Sequence, residues 1–239
     1  VNVAVVTIVA GRHEHLVRQR AALDPGVRHV VVAMGEGEAE RVRARVDADV
    51  IGFSEYTAGH ARDLLASGLA DRYPYRIERP APQASGAALW SKHPLREVPA
   101  PTLAHESCAA DVAIAGERAL RVATVHPISP YDHPTEWARD LAVLAEPAWR
   151  PRGPAVMVGD YNAAWLHTEL RDVLANGWQL AHRLAGRGMV GSWRADPPYR
   201  PFVRIDQALV SDHVGVVGVT DFDVPGSDHR GFVVSVAVR

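Results

Sequence analysis

The sequence predicts an α/β fold formed by one compact unit, and three observations lead to this prediction. Short runs of β-branched and other apolar residues recur along the 239-residue chain at the length of strands. Several of these runs are separated by segments whose apolar residues recur at helical spacing. Residues 29–55 form a βαβ unit of this kind, whereas the end of the chain from residue 203 is rich in strands alone.

Each predicted element depends on a local pattern. The helix of the βαβ unit has Ala39, Val42 and Val46 at helical spacing. A later helix begins at Pro134, which suits a first helical turn, and another stops near Gly177. The predicted strands span residues 29–34, 48–55, 85–91, 109–127 (a hairpin turning at 115–118), 154–163 (running into a polar loop), 203–211, 214–224 and 230–238. The predicted helices span residues 38–46, 60–69, 134–146 and 169–178.

The composition is typical of a globular protein with a substantial core, since 47% of the residues are hydrophobic and 23% are charged. The formal net charge of −2 argues against a protein that coats nucleic acid, but leaves open an enzyme with a local basic rim. The single cysteine, Cys108, excludes an internal disulfide and a cysteine-rich zinc site. No apolar run approaches the roughly 20 residues of a membrane span. Residues 1–16 lack the basic start of a secretion signal, so a cytoplasmic location is expected.

Polar side chains interrupt the predicted strands at five places, most of them at or near a strand end. Any one of them is more often a turn former or a helix cap than a site residue. Five such places rich in carboxylates and imidazoles are harder to explain by turns alone, because strand ends are where a rigid scaffold holds functional groups. These residues are Glu55, His126, Asp160, Asn162, Asp206, Asp228 and His229. The ten other histidines show no metal-ligand spacing and are predicted to lie mostly at the surface.

Five motifs contain these residues, and they occur in the order VIGFSE, TVHP, GDYNA, RIDQALVS and GSDHR. Together they resemble the endonuclease/exonuclease/phosphatase superfamily, which includes pancreatic-type deoxyribonuclease, abasic-site endonucleases, inositol-phosphate phosphatases and sphingomyelinases. The resemblance covers residues 28–239. It implies a DNase-I-like fold, a four-layer α/β/β/α sandwich of two mixed sheets with the site at one edge of both sheets.

The chemistry of such a site can be worked out for a phosphodiester. Water must be deprotonated and aligned behind phosphorus, charge on the nonbridging oxygens must be offset, and the leaving oxygen must be stabilised. Clustered carboxylates repel each other unless a cation joins them, so an acid-rich site implies a bound metal ion. With oxygen ligands and no Cys-His cluster, Mg²⁺ or Mn²⁺ is the expected cofactor.

The leading prediction is therefore a divalent-metal-dependent phosphoester hydrolase. Its substrate would be a nucleic acid, a lipid head group or a small phosphodiester, and no obligate protein partner is indicated. The resemblance implies that Glu55 is the main metal ligand and that Asp228 lies near the metal. It also implies that Asp160 positions or deprotonates the attacking water and that Asn162 hydrogen-bonds the phosphate.

Two imidazoles complete the site that the resemblance implies. His229 would contact the scissile phosphate, while Asp206 would accept the other ring proton of His229 and fix its orientation. His126 is similarly expected at the phosphate. Two residues carry open alternatives: Trp193 would pack on substrate or belong to the core or rim, and Arg204 would bind phosphate or pair with an acid.

The front of the chain departs from the family pattern. The pattern has a metal-binding Asn at the end of the first strand, whereas the strand in the equivalent place here ends with Ala33, Met34 and Gly35, whose side chains offer no oxygen. The nearby Asn2 lies at the wrong end of an earlier strand. The missing Asn motivates an alternative prediction, a degenerate noncatalytic binding module of the same fold.

The first 36 residues resemble the opening β-α-β of a family 2 glycosyltransferase, but that resemblance does not continue downstream. Glycosyl transfer is accordingly a distant third hypothesis. The sequence is predicted to divide into an extra or replaced N-terminal βα unit at residues 1–27 and an endonuclease/exonuclease/phosphatase domain at residues 28–239. Two alternatives stay open: the first unit replaces the original first strand, or it is added at a sheet edge.

Overall fold

The computed structural model describes residues 2–9, 28–34, 48–115, 118–195, 198–224 and 227–238. The strands in these ranges are β1 (Asn2–Val9), β2 (Arg28–Met34), β3 (Val50–Ser54), β4 (Tyr75–Arg79), β5 (Ala87–Ser91), β6 (Leu95–Glu97), β7 (Cys108–Ala115), β8 (Arg118–Thr124), β9 (Ala155–Asp160), β10 (Gln179–Leu180), β11 (Asp206–Val210), β12 (Val214–Asp223) and β13 (Arg230–Val238). The helices are α1 (Ala58–Ala66), α2 (Leu69–Arg72), α3 (Pro134–Leu144), α4 (Thr168–Ala175) and α5 (Ala181–Leu184). None of these helices is long and apolar enough to cross a membrane.

In the described ranges, the strands form two mixed sheets. The first has seven strands in the order β12-β13-β1-β2-β3-β5-β4, with β1, β2 and β3 parallel and the other neighbours antiparallel. The second has six strands in the order β10-β11-β9-β8-β7-β6, in which β8 and β9 run parallel and the other neighbours antiparallel.

Alternating side chains on the strands divide the core into three layers. Val50 of β3 faces the other sheet and belongs to the same buried cluster as Val122 of β8. The next residue, Ile51, points to the opposite face and belongs to a cluster with Leu64 of α1. The outer face of the six-stranded sheet packs against α3 and α4 through a third cluster. Two sheets enclosed by two helical layers confirm the predicted four-layer α/β/β/α sandwich.

Three strands were missed by the sequence pattern, and each lies at the edge of a sheet. They are β4, β6 and β10, and their buried positions are few, with one in five residues buried in β4 and none in β6. Edge strands need fewer apolar residues than central ones, so they leave a weaker signal in the sequence.

The N-terminal strand lies inside the seven-stranded sheet. Residues 2–7 pair with residues 232–237 of β13, and residues 7–9 pair with residues 32–34 of β2. β1 therefore lies between β13 and β2 and not at an edge of this sheet. The boundary after residue 27 and the replacement of an original strand stay predictions. The predicted helix at residues 38–46 and the hairpin tip at residues 116–117 lie outside the described residues.

Gly159 allows β9 to approach the chain after β8. Its φ of +147° suits glycine, and a Cβ there would lie 1.9 Å from the carbonyl oxygen of Val125. We expect Gly159→Ala to lower the free energy of unfolding by about 3 kcal/mol or more, through backbone strain and overpacking together. Chemical denaturation of the purified variant measures this change.

Gly153→Ala is the matched control for that experiment. A Cβ at Gly153 would meet nothing within 4 Å, so its expected effect is below about 1 kcal/mol. Equal unfolding midpoints for the two variants would contradict the role given to Gly159.

Candidate active site

The topology of the six-stranded sheet brings three predicted site residues to one edge. β8 and β9 run parallel, so the chain leaves both strands at the same edge, with His126 just beyond β8 and Asp160 at the end of β9. β11 runs antiparallel to β9 and begins at this edge, where Asp206 lies directly opposite Asp160. The sheet register therefore places the two carboxylates side by side.

The seven-stranded sheet supplies the remaining groups by the same geometry. Glu55 follows the end of β3, and β1 runs parallel to β3. β13 runs antiparallel to β1, so its start lies at the edge where β3 ends. The residues just before β13 are Asp228 and His229, and one turn delivers both to the edge where the two sheets meet.

His229 and Asp206 form a buried pair. His229 Nδ1 lies 3.0 Å and 3.2 Å from the two carboxylate oxygens of Asp206, and Asp206 is fully buried. Because a carboxylate accepts, Nδ1 carries the hydrogen and the Nε2 edge faces Asp160 Oδ2 and Asp228 Oδ1, each 3.9 Å away. Burial alone would lower the pKa of His229, but the charge and hydrogen bond of Asp206, with the charges of Asp160 and Asp228, raise it above its ordinary value.

Asp160 lies between two imidazoles. Its Oδ2 is 3.8 Å from His126 Nε2 and 3.9 Å from His229 Nε2, while its Oδ1 accepts the backbone N–H of Asn162 at 2.7 Å. Burial raises the pKa of Asp160, and the charge of Asp206 raises it further. A carboxylate with raised proton affinity beside a positive imidazolium is suited to accept a proton from water.

His126 is a neutral imidazole held in one tautomer. Its Nδ1 lies 3.1 Å from the carbonyl oxygen of Ala84, and since a carbonyl only accepts, Nδ1 carries the hydrogen in that bond. Nδ1 of His105 lies 3.2 Å from Nδ1 of His126. Burial lowers the pKa of His126 to about 3, with smaller contributions from the charges of His105 and His229. Nε2 of His126 therefore presents a lone pair toward Asp160.

Two site residues have left-handed backbone conformations. Glu55 has a φ of 57° and Asn162 a φ of 49°. This region costs side-chain-bearing residues of order 1–3 kcal/mol, and such residues cluster at functional sites. Asn162 Nδ2 donates to the carbonyl oxygen of Pro127 at 3.0 Å, so its second amide hydrogen is the one that a phosphate oxygen would receive.

The carboxylates of this edge fit a hard divalent cation. Burial raises the pKa of Glu55. The charge of His229 lowers this pKa, and the charges of Asp228 and Asp206 raise it. A cation beside Glu55 would offset this repulsion, and Mg²⁺ and Mn²⁺ favour such oxygen ligands. Asp160, Asp206 and His229 also offer ligand atoms within 4.8 Å of one another. Because both oxygens of Asp206 already face His229 Nδ1, Asp206 is a poorer ligand, and the predicted ligands Glu55 and Asp228 stay predictions.

Trp193 and Arg204, for which alternatives were open, have different surroundings in the structure. Trp193 lies at the site rim: its Nε1 donates to Asp228 Oδ2 at 3.1 Å, and its ring centroid is 6.4 Å from that of His229. Arg204 is buried and pairs with Asp221, the acid-pairing alternative, while a phosphate contact stays a prediction.

Two further residues near the site were missed by the sequence analysis. Ser192 Oγ accepts the backbone N–H groups of Ile205 and Asp206, both at 3.1 Å, and so fixes the start of β11. His105 contacts His126, although it was predicted to lie at the surface. His60 and His182 are buried as well, so they are further exceptions among the histidines that were expected to lie mostly at the surface. The unusual density of histidines was the one available clue.

A cavity of about 510 Å³ lies beside this centre. It is lined by Arg79 and residues 97–107, a range that includes His105 but none of the predicted site residues. Through His105, the cavity adjoins the side of His126 that faces away from Asp160.

The chain belongs to the Endonuclease/Exonuclease/phosphatase family, whose family model matches residues 20–229. No match was found among curated proteins. The match agrees with the five motifs and with the observed fold, and this family and fold are those of phosphoesterases.

Solved structures resemble the chain over nearly its whole length. An endonuclease/exonuclease/phosphatase from Beutenbergia cavernae has a TM-score of 0.69 at 20% identity, covering 99% of this chain and 72% of that one. D. rerio TDP2, complexed with single strand DNA product, has a TM-score of 0.70 at 16% identity, covering 99% of both chains. The 3' phosphatase NExo from Neisseria, bound to product DNA hairpin, has a TM-score of 0.69 at 15% identity, covering 99% of both chains. At these identities the likeness establishes the fold.

Proposed function

We propose that the protein is a divalent-metal-dependent hydrolase of phosphate esters. The observation that carries this proposal is the position of Asp160 between His126 and a His229–Asp206 pair, at the edge that also holds Glu55. These groups supply a base for the attacking water and positive charge for the nonbridging oxygens. They also supply oxygen ligands for a metal ion that would stabilise the leaving oxygen.

Three side chains of the protein act on the water and the phosphate. Asp160 Oδ2 takes the proton of the attacking water, because burial and the charge of Asp206 raise the proton affinity of this carboxylate while the charge of His229 favours its ionised form. His229, kept protonated by Asp206, directs Nε2–H to a nonbridging phosphate oxygen and offsets the charge that develops there. The Asn162 amide donates a second hydrogen bond to the phosphate.

Glu55 and Asp228 would hold the metal ion. A bound Mg²⁺ or Mn²⁺ supplies positive charge that polarises the phosphate and stabilises the leaving oxygen. His126 lines the phosphate site with its Nε2 edge, where an arriving anion favours protonation of that nitrogen.

The noncatalytic alternative is not favoured. The missing first-strand Asn removes one of several groups around the metal, and loss of a supporting group typically weakens metal affinity by roughly 10–100-fold without abolishing chemistry. Two of the structures above, D. rerio TDP2 and Neisseria NExo, were solved with DNA products, which supports nucleic acid among the candidate substrates. Small phosphodiesters and lipid head groups share the same reacting bond and belong to the same proposal.

Glu55→Gln tests the metal site. We expect the Mg²⁺ concentration that gives half-maximal hydrolysis of bis-p-nitrophenyl phosphate to rise at least roughly 10-fold, because a charged ligand becomes a neutral one. EDTA should abolish hydrolysis by the native protein. Isothermal titration with Mg²⁺ alone measures the same loss without a substrate.

Glu106→Gln provides the control, since this exposed glutamate lines the neighbouring cavity and lies outside the cluster. Its Mg²⁺ dependence should equal that of the native protein. Hydrolysis unaffected by EDTA, or a Glu55→Gln variant with unchanged Mg²⁺ dependence, would contradict the proposed role of Glu55.

A further inference from the structure

Asp140 is a buried carboxylate that the proposed chemistry does not use. It lies on α3 with an exposed fraction of 4%, one turn after Trp137, whose Nε1 donates to the carbonyl oxygen of Tyr161 at 3.4 Å. Desolvation of a carboxylate is costly unless it is hydrogen-bonded. The hydrogen bonds that Asp140 makes therefore indicate what it does.

The carboxylate joins two separate segments of the chain. Oδ1 accepts the backbone N–H of Ala104 at 2.9 Å, and Oδ2 accepts the backbone N–H of Ile128 at 3.0 Å. Ala104 directly precedes His105, and Ile128 follows His126 by two residues. One carboxylate thus fixes both loops that carry the contacting imidazoles.

The two loops meet a third segment at His126. Ala84 accepts the Nδ1 hydrogen of His126, and the neighbouring Ser85 carbonyl accepts the backbone N–H of Glu106 at 2.8 Å. These contacts set the rotation of the His126 ring and keep its Nε2 3.8 Å from Asp160 Oδ2. The ring is therefore held on its Nδ1 side, while Asp140 bonds the residue before His105 and the residue two after His126.

We propose that Asp140 is a positioning residue that holds His126 in the Nδ1–H tautomer facing Asp160, with His105 as the second contact of that ring. The kinetic consequence rests on the proposed function, whereas the tautomer of His126 does not. Loss of the carboxylate frees two backbone N–H groups, releases both loops and lets the His126 ring turn away from the Ala84 carbonyl.

Asp140→Asn and Asp140→Ala test the proposal. The amide keeps one acceptor but presents an NH₂ group to the other backbone N–H, while alanine removes both acceptors. Long-range ¹H–¹⁵N spectra of the histidine rings, with the His126 signals assigned from His126→Gln, should show one Nδ1–H tautomer in the native protein. Mixed tautomers are expected in both variants. For bis-p-nitrophenyl phosphate with Mg²⁺, kcat/KM should fall between about 10-fold and 100-fold, the loss that follows a displacement of about 1 Å.

Glu136→Gln is the matched control, because Glu136 is an exposed acid on the same helix. It should change neither the spectra nor the kinetics. A folded Asp140→Asn protein with the native His126 tautomer would overturn the proposal, whatever its rate, and so would mixed tautomers in Glu136→Gln. If the native protein hydrolyses nothing, the proposed function fails, and the spectra alone decide the role of Asp140. Should Asp140→Ala not fold, Asp140→Asn carries the test.

Discussion

Asp160→Ala is expected to lower kcat/KM for bis-p-nitrophenyl phosphate by about 10²- to 10⁴-fold, the range that a general base contributes. The reason is the position of the carboxylate between His126 Nε2 and His229 Nε2, at 3.8 Å and 3.9 Å. Neither imidazole can replace it: burial lowers the pKa of His126 to about 3, which makes this ring a weak base, and His229 carries the proton that Asp206 stabilises. Steady-state kinetics at saturating Mg²⁺ measure the loss.

The variant should fold normally, because the buried charge of Asp160 is unfavourable in the native state, as its raised pKa indicates. Asp160→Asn, which keeps the acceptor for the Asn162 N–H, should lose nearly as much activity. Asp172→Ala, at an exposed acid on α4, is the control and should leave kcat/KM unchanged. A folded Asp160→Ala protein that retains native kcat/KM would show that another group accepts the proton.

Asp221→Asn is expected to lower the free energy of unfolding by about 3–5 kcal/mol, the usual result of removing one partner of a buried ion pair. Asp221 accepts hydrogen bonds from Arg204, from Arg187 at 2.9 Å and from His182 at 3.3 Å. Arg204 is itself buried, and it also donates to the carbonyl oxygen of Asp206 at 3.2 Å. Loss of the carboxylate charge would leave the Arg204 guanidinium uncompensated next to the His229–Asp206 pair.

The effect of Asp221→Asn should depend on pH in a defined direction. Burial alone would raise the pKa of Asp221, but His182, Arg204 and Arg187 bring it well below its ordinary value of 3.8. Because the pKa of Asp221 is lower in the folded state, its ionised carboxylate stabilises the fold at pH values above the ordinary pKa. This stabilisation is lost as the pH falls toward the folded-state pKa. The difference in the free energy of unfolding between the native protein and Asp221→Asn should therefore be constant from about pH 7 to about pH 5 and shrink below about pH 4.

Asp223→Asn is a close control. Asp223 lies on the same strand as Asp221 and pairs with Arg230, but the Asp223 side chain is 58% exposed. Exposed pairs contribute about 0–1 kcal/mol. Urea denaturation at several pH values compares the three proteins. A loss no larger in Asp221→Asn than in Asp223→Asn would mean that the Arg204 cluster does not stabilise the fold.

The sequence predicts most of this fold because its central strands are buried on both faces. The β9 segment is buried at all six positions, which is why it stands out as an apolar run ending in Asp160. The start of β13 is recognisable for a similar reason, because Asp228 and His229 interrupt a turn that leads into an apolar strand. Edge strands such as β4 lack this pattern, and their pairing is decided by neighbours far along the chain.

The site is predictable only in part. Residues at strand ends, such as Asp206, can be found from the sequence because strand register fixes where they lie. The residues that hold them come from loops and helices distant in sequence. Asp140 is 36 residues from Ala104, and His105 is 21 residues from His126. Contacts of this kind follow from tertiary packing and leave no local spacing pattern.

We propose that this edge of the two sheets hydrolyses phosphodiesters with the help of a divalent metal ion. The most direct test is hydrolysis of bis-p-nitrophenyl phosphate by the native protein in Mg²⁺, in Mn²⁺ and in EDTA, with Asp160→Ala measured beside it. We expect turnover with either metal, none in EDTA, and a rate in Asp160→Ala lower by about 10²-fold or more. A folded native protein that binds Mg²⁺ and shows no metal-dependent hydrolysis of this substrate or of plasmid DNA would contradict the claim.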